Sequence, residues 1–89
     1  EVAARLEAEH GVATQVVVCD LARPEAAREL HACTHELGLE IDFLVNNAGI
    51  LYNGRFDVLE LAKQEALLAV NVVALTSLTH LFLHDMLAR

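Results

Sequence analysis

Ile41-Asp42-Phe43-Leu44-Val45-Asn46-Asn47-Ala48-Gly49-Ile50 decides the fold. Ile41 to Val45 is too short for a helix of its own and is rich in β-branched and aromatic residues, so it reads as a strand buried on both faces. Asn46-Asn47-Ala48-Gly49 then stops the run. Gly49 permits backbone angles that other residues avoid, and Ala48 and Gly49 leave little side chain in the way. In open α/β sheets, ligands sit beyond the carboxyl ends of the strands. A strand that ends in small and amide residues suits a close-fitting ligand there, while one or both amides can serve only to tie neighbouring backbone.

Working outward from this run, alternating elements appear. Glu1 to His10 carries Val2, Ala3 and Leu6 on one side and reads as the last turns of a helix stopped by Gly11. Ala13 to Cys19 has a β-branched centre and predicts a strand, ending in Asp20-Leu21. Pro24 suits the first position of a second helix. Ala26, Leu30, Cys33 and Leu37 give that helix its packing face, and Gly38 ends it. After Ile41–Val45, Tyr52-Asn53-Gly54-Arg55 reads as loop. From about Leu61 the chain is helical to its end. Helix, strand, helix, strand, long helix predicts a doubly wound α/β sheet with parallel strands and right-handed crossovers.

Composition narrows the function classes. The 89 residues are 55% hydrophobic, with a formal charge of −7 that argues against a nucleic-acid surface. The two cysteines, Cys19 and Cys33, show no paired spacing, which fits a reducing, cytoplasmic setting. Ala66 to His84 contains no Asp, Glu, Lys or Arg. That length invites a membrane span. Asn71, Thr76, Ser77, Thr79, His80 and His84 make it too polar, and no basic cluster flanks it. It reads instead as a helix apolar nearly all round, covering the sheet on one side and meeting a partner subunit on the other.

A few polar residues stand out. Asp20, at a strand end, is either a turn aspartate capping the next helix or an acceptor for an amino group such as that of adenine. Asn71 is costly to bury unpaired in an apolar helix. It either bonds a backbone carbonyl and kinks the helix or holds a water. Tyr52 either lines a pocket or anchors its loop. His31/His35 and His80/His84 have a four-residue spacing that can hold a metal. Neither pair has the glutamate of a zinc-protease pattern, so each reads as a polar helix face and no metal is expected.

Taken together, Asp42-Phe43-Leu44-Val45-Asn46-Asn47-Ala48-Gly49-Ile50 resembles the Asn-Asn-Ala-Gly strand of the short-chain dehydrogenase/reductase family. Asp20-Leu21 resembles that family's aspartate-hydrophobic pair after the third strand, and Val70-Asn71 resembles the helix asparagine of its Asn-Ser-Tyr-Lys catalytic group. The resemblance runs over essentially all 89 residues. It implies the central part of a single NAD(P)-binding Rossmann domain, cut at both ends, from a protein of about 250 residues. It also implies hydride transfer between a nicotinamide (NAD or NADP) and a carbonyl or alcohol substrate.

By position, Asp20 would bind adenine, with Leu21 contributing backbone nearby. Asn47, Ala48 and Gly49 would line the adenosine ribose and the path to the nicotinamide, and Asn46 would steady the sheet. Asn71 would distort its helix and position a water for a proton relay. The long helix, residues 61–89, would build a dimer or tetramer interface. The family's Gly-rich loop is expected before Glu1, and its Tyr-x-x-x-Lys pair beyond Arg89. Tyr52 and Lys63 are too far apart in sequence to replace that pair. The competing expectation is a catalytically inactive Rossmann-like binding or interaction module.

Overall fold

The computed structural model describes all 89 residues, Glu1–Arg89. Helix α1 spans Val2–His10, α2 Ala26–Glu36, α3 Leu61–Leu68 and α4 Leu75–Ala88, with a π-helical segment at Ala69–Ala74 joining the last two. The helices end as the glycines predict. Gly11 takes φ 64° and returns its N–H to the Glu7 carbonyl. At the end of α2, Gly38 takes φ 70°, its N–H bonds the His35 carbonyl, and the Leu39 N–H bonds the Thr34 carbonyl. These are the two reverse bonds of a Schellman cap.

Helix α2 starts later than expected. Pro24 lies in a turn before it, and Ala26 is the first helical residue. The turn is built by Asp20: its Oδ1 accepts the Ala22 N–H at 3.0 Å and its carbonyl the Arg23 N–H at 3.1 Å. The packing face overlaps the expected one, with Ala26 buried and Leu30 packed against the core. Ala26, Ala27 and Thr34 are buried while Leu37 is exposed. Ala27, Leu78 and Phe82 form the core contact between α2 and α4, with Leu21, Leu30, Ile41 and Leu44 packed around it.

Neither expected strand carries a strand ladder: the chain contains helices and irregular backbone only. The reason is pairing. The backbone hydrogen bonds outside the helices are all local turns and caps, so residues 13–19 and 41–45 do not bond each other. A strand exists by virtue of the ladder it shares.

Leu61–Ala88 is long and apolar enough to cross a membrane by length and composition, with mean hydropathy 1.9 over its most apolar window. Its α4 part instead lays Leu78 and Phe82 against α2.

Candidate functional site

The end of the 41–50 run is held by Asn71. Its Oδ1 accepts the Ile50 N–H at 2.9 Å, and its Nδ2 donates to the Ile50 carbonyl at 2.7 Å. One side-chain amide thus satisfies both backbone groups of one residue, as a neighbouring strand would. Asn71 sits within Ala69–Ala74, where the helix widens to π geometry. Such widenings occur mostly as single turns inside α-helices, often at functional positions. Of the two readings open for Asn71, the structure shows the backbone bond, in doubled form.

Gly49 lies beside the Asn71 side chain. It is absent from the positive-φ glycines, so the expected special backbone angle is not used. A Cβ built on it would lie 3.4 Å from Asn71 Oδ1, an ordinary contact. Asn46 works differently from expectation. Its Nδ2 donates to Thr79 Oγ1 at 3.1 Å, and that hydroxyl donates to the Leu75 carbonyl at 2.7 Å. Asn46 therefore ties the segment to α4. Val45 also accepts the Asn47 N–H in a tight turn at 3.1 Å.

These anchors leave a free edge. The Ala48 and Gly49 N–H groups and the Asn47 side-chain amide have no hydrogen-bond partner in the chain, and all three residues are exposed. Asp20 is exposed too, and its Oδ2 stays free while Oδ1 builds the turn. Of the two readings of Asp20, the structure shows the turn aspartate, with Oδ1 on the Ala22 N–H before α2.

Leu21, Asn46, Asn47 and Ala48 line one mostly apolar cleft of about 310 Å³, between the 41–48 segment and the helices. Gly49 and Asn71 stand together at the end of that segment. Asp20 is not on the cleft. No spare cation faces this region from the α2 turn, because Arg23 is engaged by Glu29 in a two-pronged pair at 2.8 Å each. That pair holds Glu29 below the usual carboxylate range and raises Arg23 further. Tyr52 sits under Lys63, whose Nζ lies 5.5 Å from the ring centroid, so its ring anchors the loop to α3.

Three features are not legible in the sequence. Thr79 as partner of Asn46, and Asp85 as partner of His31 and His35, are contacts across tens of residues. The extent of the π segment is the third, although a lone asparagine in an apolar helix signals some distortion.

The sequence model of the family described as short chain dehydrogenase matches residues 1–89, and the chain belongs to that family. A structure solved in work on the stereoselectivity of 7β-hydroxysteroid dehydrogenase superposes with a TM-score of 0.89 at 30% identity, covering 98% of this chain and 34% of that one. The chain thus spans about a third of that structure and shares its Rossmann-like fold over that part. The comparison with curated proteins found no match.

Proposed function

We propose that these residues are the central, cofactor-facing part of an NAD(P)-dependent oxidoreductase that moves a hydride between nicotinamide and a carbonyl or alcohol. The observation that carries this reading is the two-bond hold of Asn71 on Ile50, which fixes a small-residue edge whose own donors stay free. Asn47, Ala48 and Gly49 fit a ribose: two free backbone N–H groups and one side-chain amide can meet its hydroxyls, and no bulky side chain intervenes. Asp20 Oδ2 fits an exocyclic amino group, with Leu21 anchoring the turn against the core. When bound, the nicotinamide supplies the hydride donor or acceptor. Asn71 keeps its position relative to that edge because both ends of its amide are already committed to backbone.

The extended runs 13–19 and 41–45 are taken as strands three and four of a doubly wound parallel sheet. The exposed apolar residues of the last helices, among them Val72, Val73 and Leu83, suit a subunit interface in a homodimer or tetramer. The absence of paired spacing between Cys19 and Cys33 supports a reducing, cytoplasmic setting. The structural neighbour puts hydroxysteroids first among the substrates to try.

The test is titration of the full-length protein with NADH and NADPH, followed by nicotinamide fluorescence, then turnover on a panel of ketones and secondary alcohols that includes hydroxysteroids. Saturable binding with turnover supports the proposal. Saturable binding with no turnover on any member would leave a binding module in its place, and no binding of either nucleotide would overturn it.

A further inference from the structure

Away from Asn71, His31, His35 and Asp85 form a cluster that the proposed function does not use. Along the helix, Asp85 lies roughly 20 Å from Asn71 at 1.5 Å per residue. His31 Nε2 is 2.6 Å and His35 Nε2 2.8 Å from the same oxygen, Asp85 Oδ2. Their rings lie 4.5 Å apart between centroids. A carboxylate only accepts, so both ring nitrogens carry their protons toward it. Asp85 Oδ1 has no hydrogen-bond partner, so two donors crowd one oxygen while the other stands free.

We propose that His31, His35 and Asp85 form a binding site for a divalent transition cation, Zn²⁺ by preference, that clips α2 to α4. Three donors of two types and one spacing support this. Two imidazoles four residues apart on one helix present neighbouring nitrogens to the same side, and a carboxylate from a second helix meets them. The three ligand atoms all lie within 4.8 Å of one another. Two nitrogens and one oxygen match zinc's preferences, whereas Mg²⁺ and Ca²⁺ call for oxygen ligands.

Ligands at about 2.1 Å around a tetrahedral zinc stand about 3.4 Å apart, so Asp85 Oδ2 would recede from each nitrogen by about 1 Å or less. Each neutral imidazole moves its proton from Nε2 to Nδ1 and offers the Nε2 lone pair. His31 is pre-oriented for this: the edge of the buried Phe82 ring packs against it, centroids 5.0 Å apart. His35 and Asp85 are reachable, for they line a cavity of about 360 Å³ that also touches Thr34 and Arg89. A fourth position is left open toward that cavity for water. Three ligands from the protein with an outward water make a cross-link between helices, remote from the cofactor edge.

The experiment uses untagged full-length protein, stripped of metal and titrated with Zn²⁺ by calorimetry, with bound metal counted by elemental analysis. The expected result is one Zn²⁺ per chain. At a hundredfold excess over Kd, the melting temperature should rise by about 5–10 °C. Binding should weaken at least tenfold in His31→Gln, His35→Gln and Asp85→Asn, and hold in His80→Gln and His84→Gln. His35 is exposed, so His35→Gln reads the site without threatening the core. Absence of stoichiometric binding to the unmutated protein would overturn the proposal, as would binding that survives the three substitutions or is lost equally in His84→Gln.

Discussion

At the scale of single residues, Asn71 and Gly49 separate two kinds of contribution. Asn71 supplies two hydrogen bonds to a backbone segment that has no ladder of its own. Replacing it with Ala leaves the Ile50 N–H and carbonyl unpaired in a half-buried place, at a cost of about 1–3 kcal/mol. Urea unfolding of the full-length variant should show that loss, together with a fall in turnover. Asn71→Asp keeps an acceptor for the N–H and turns an oxygen toward the carbonyl, so it should not rescue. Gly49 is the opposite case. An added methyl meets only Asn71 Oδ1 at 3.4 Å, and no left-handed backbone is required. Gly49→Ala should therefore change stability by less than about 1 kcal/mol while weakening nicotinamide binding. A large stability loss without an affinity change would show that Gly49 serves the fold instead of the ligand. Both residues can be singled out from sequence, because an asparagine among apolar helix residues and a glycine at a strand end break local rules. The sequence position of Gly49 points to backbone freedom and to small size; the structure does not use the first, because Gly49 is not among the positive-φ glycines.

At the scale of elements, legibility follows locality. The ends of α1 and α2 are readable because Gly11 and Gly38 act through their own φ and bonds a few residues back. Gly38→Ala should destabilise the protein by about 1 kcal/mol, since the position demands φ 70°. Thermal melts of the single variant would measure this. The join of α2 to α4 is not readable, because the partner of His31 lies 54 residues away. It has a pH signature. Hydrogen bonds from His35, then His31, hold the Asp85 carboxyl below its ordinary value. A carboxyl lowered in the folded state stabilises that state above its unfolded pKa, near 3.9, and loses the contribution as pH falls through the lower folded value. The stability gap between the native protein and Asp85→Asn, measured in chelator to exclude metal, should therefore be full above about pH 5 and shrink below pH 4. A gap that grows on acidification would show that the two histidines do not hold the carboxylate in its charged form. The expected strands sit between these cases. Their apolar character is legible, yet the hydrogen bonds that make a strand belong to a neighbour, and neither run neighbours the other.

At the scale of the whole molecule, shape and exposure point the same way. Only seven of 89 residues are buried, and the radius of gyration is 15.7 Å, where a compact domain of this length would have about 12 Å. The two most exposed large apolar residues, Val18 at 96% and Phe43 at 90%, lie on the runs expected to be strands, together with Val45 at 80% and Val16 at 72%. Alternate residues of an isolated strand can face water, but a run with apolar groups on both faces is stable only when covered on both. Unpaired backbone beside such side chains is also an invitation to pair with another chain. The 89 residues prepared by themselves should therefore bind a hydrophobic dye, associate as their concentration rises and melt without a cooperative transition. In the full-length protein, the same residues should be protected from amide exchange at 13–19 and 41–45, because a sheet on either side would supply the missing partners. The two preparations make the comparison decisive. Protection only in the full-length protein places these runs inside a shared sheet. A sharp-melting, monodisperse 89-residue monomer would mean that helix packing through Ala27, Leu78 and Phe82 is enough to hold the fold, and that the exposed valines and Phe43 face water by design.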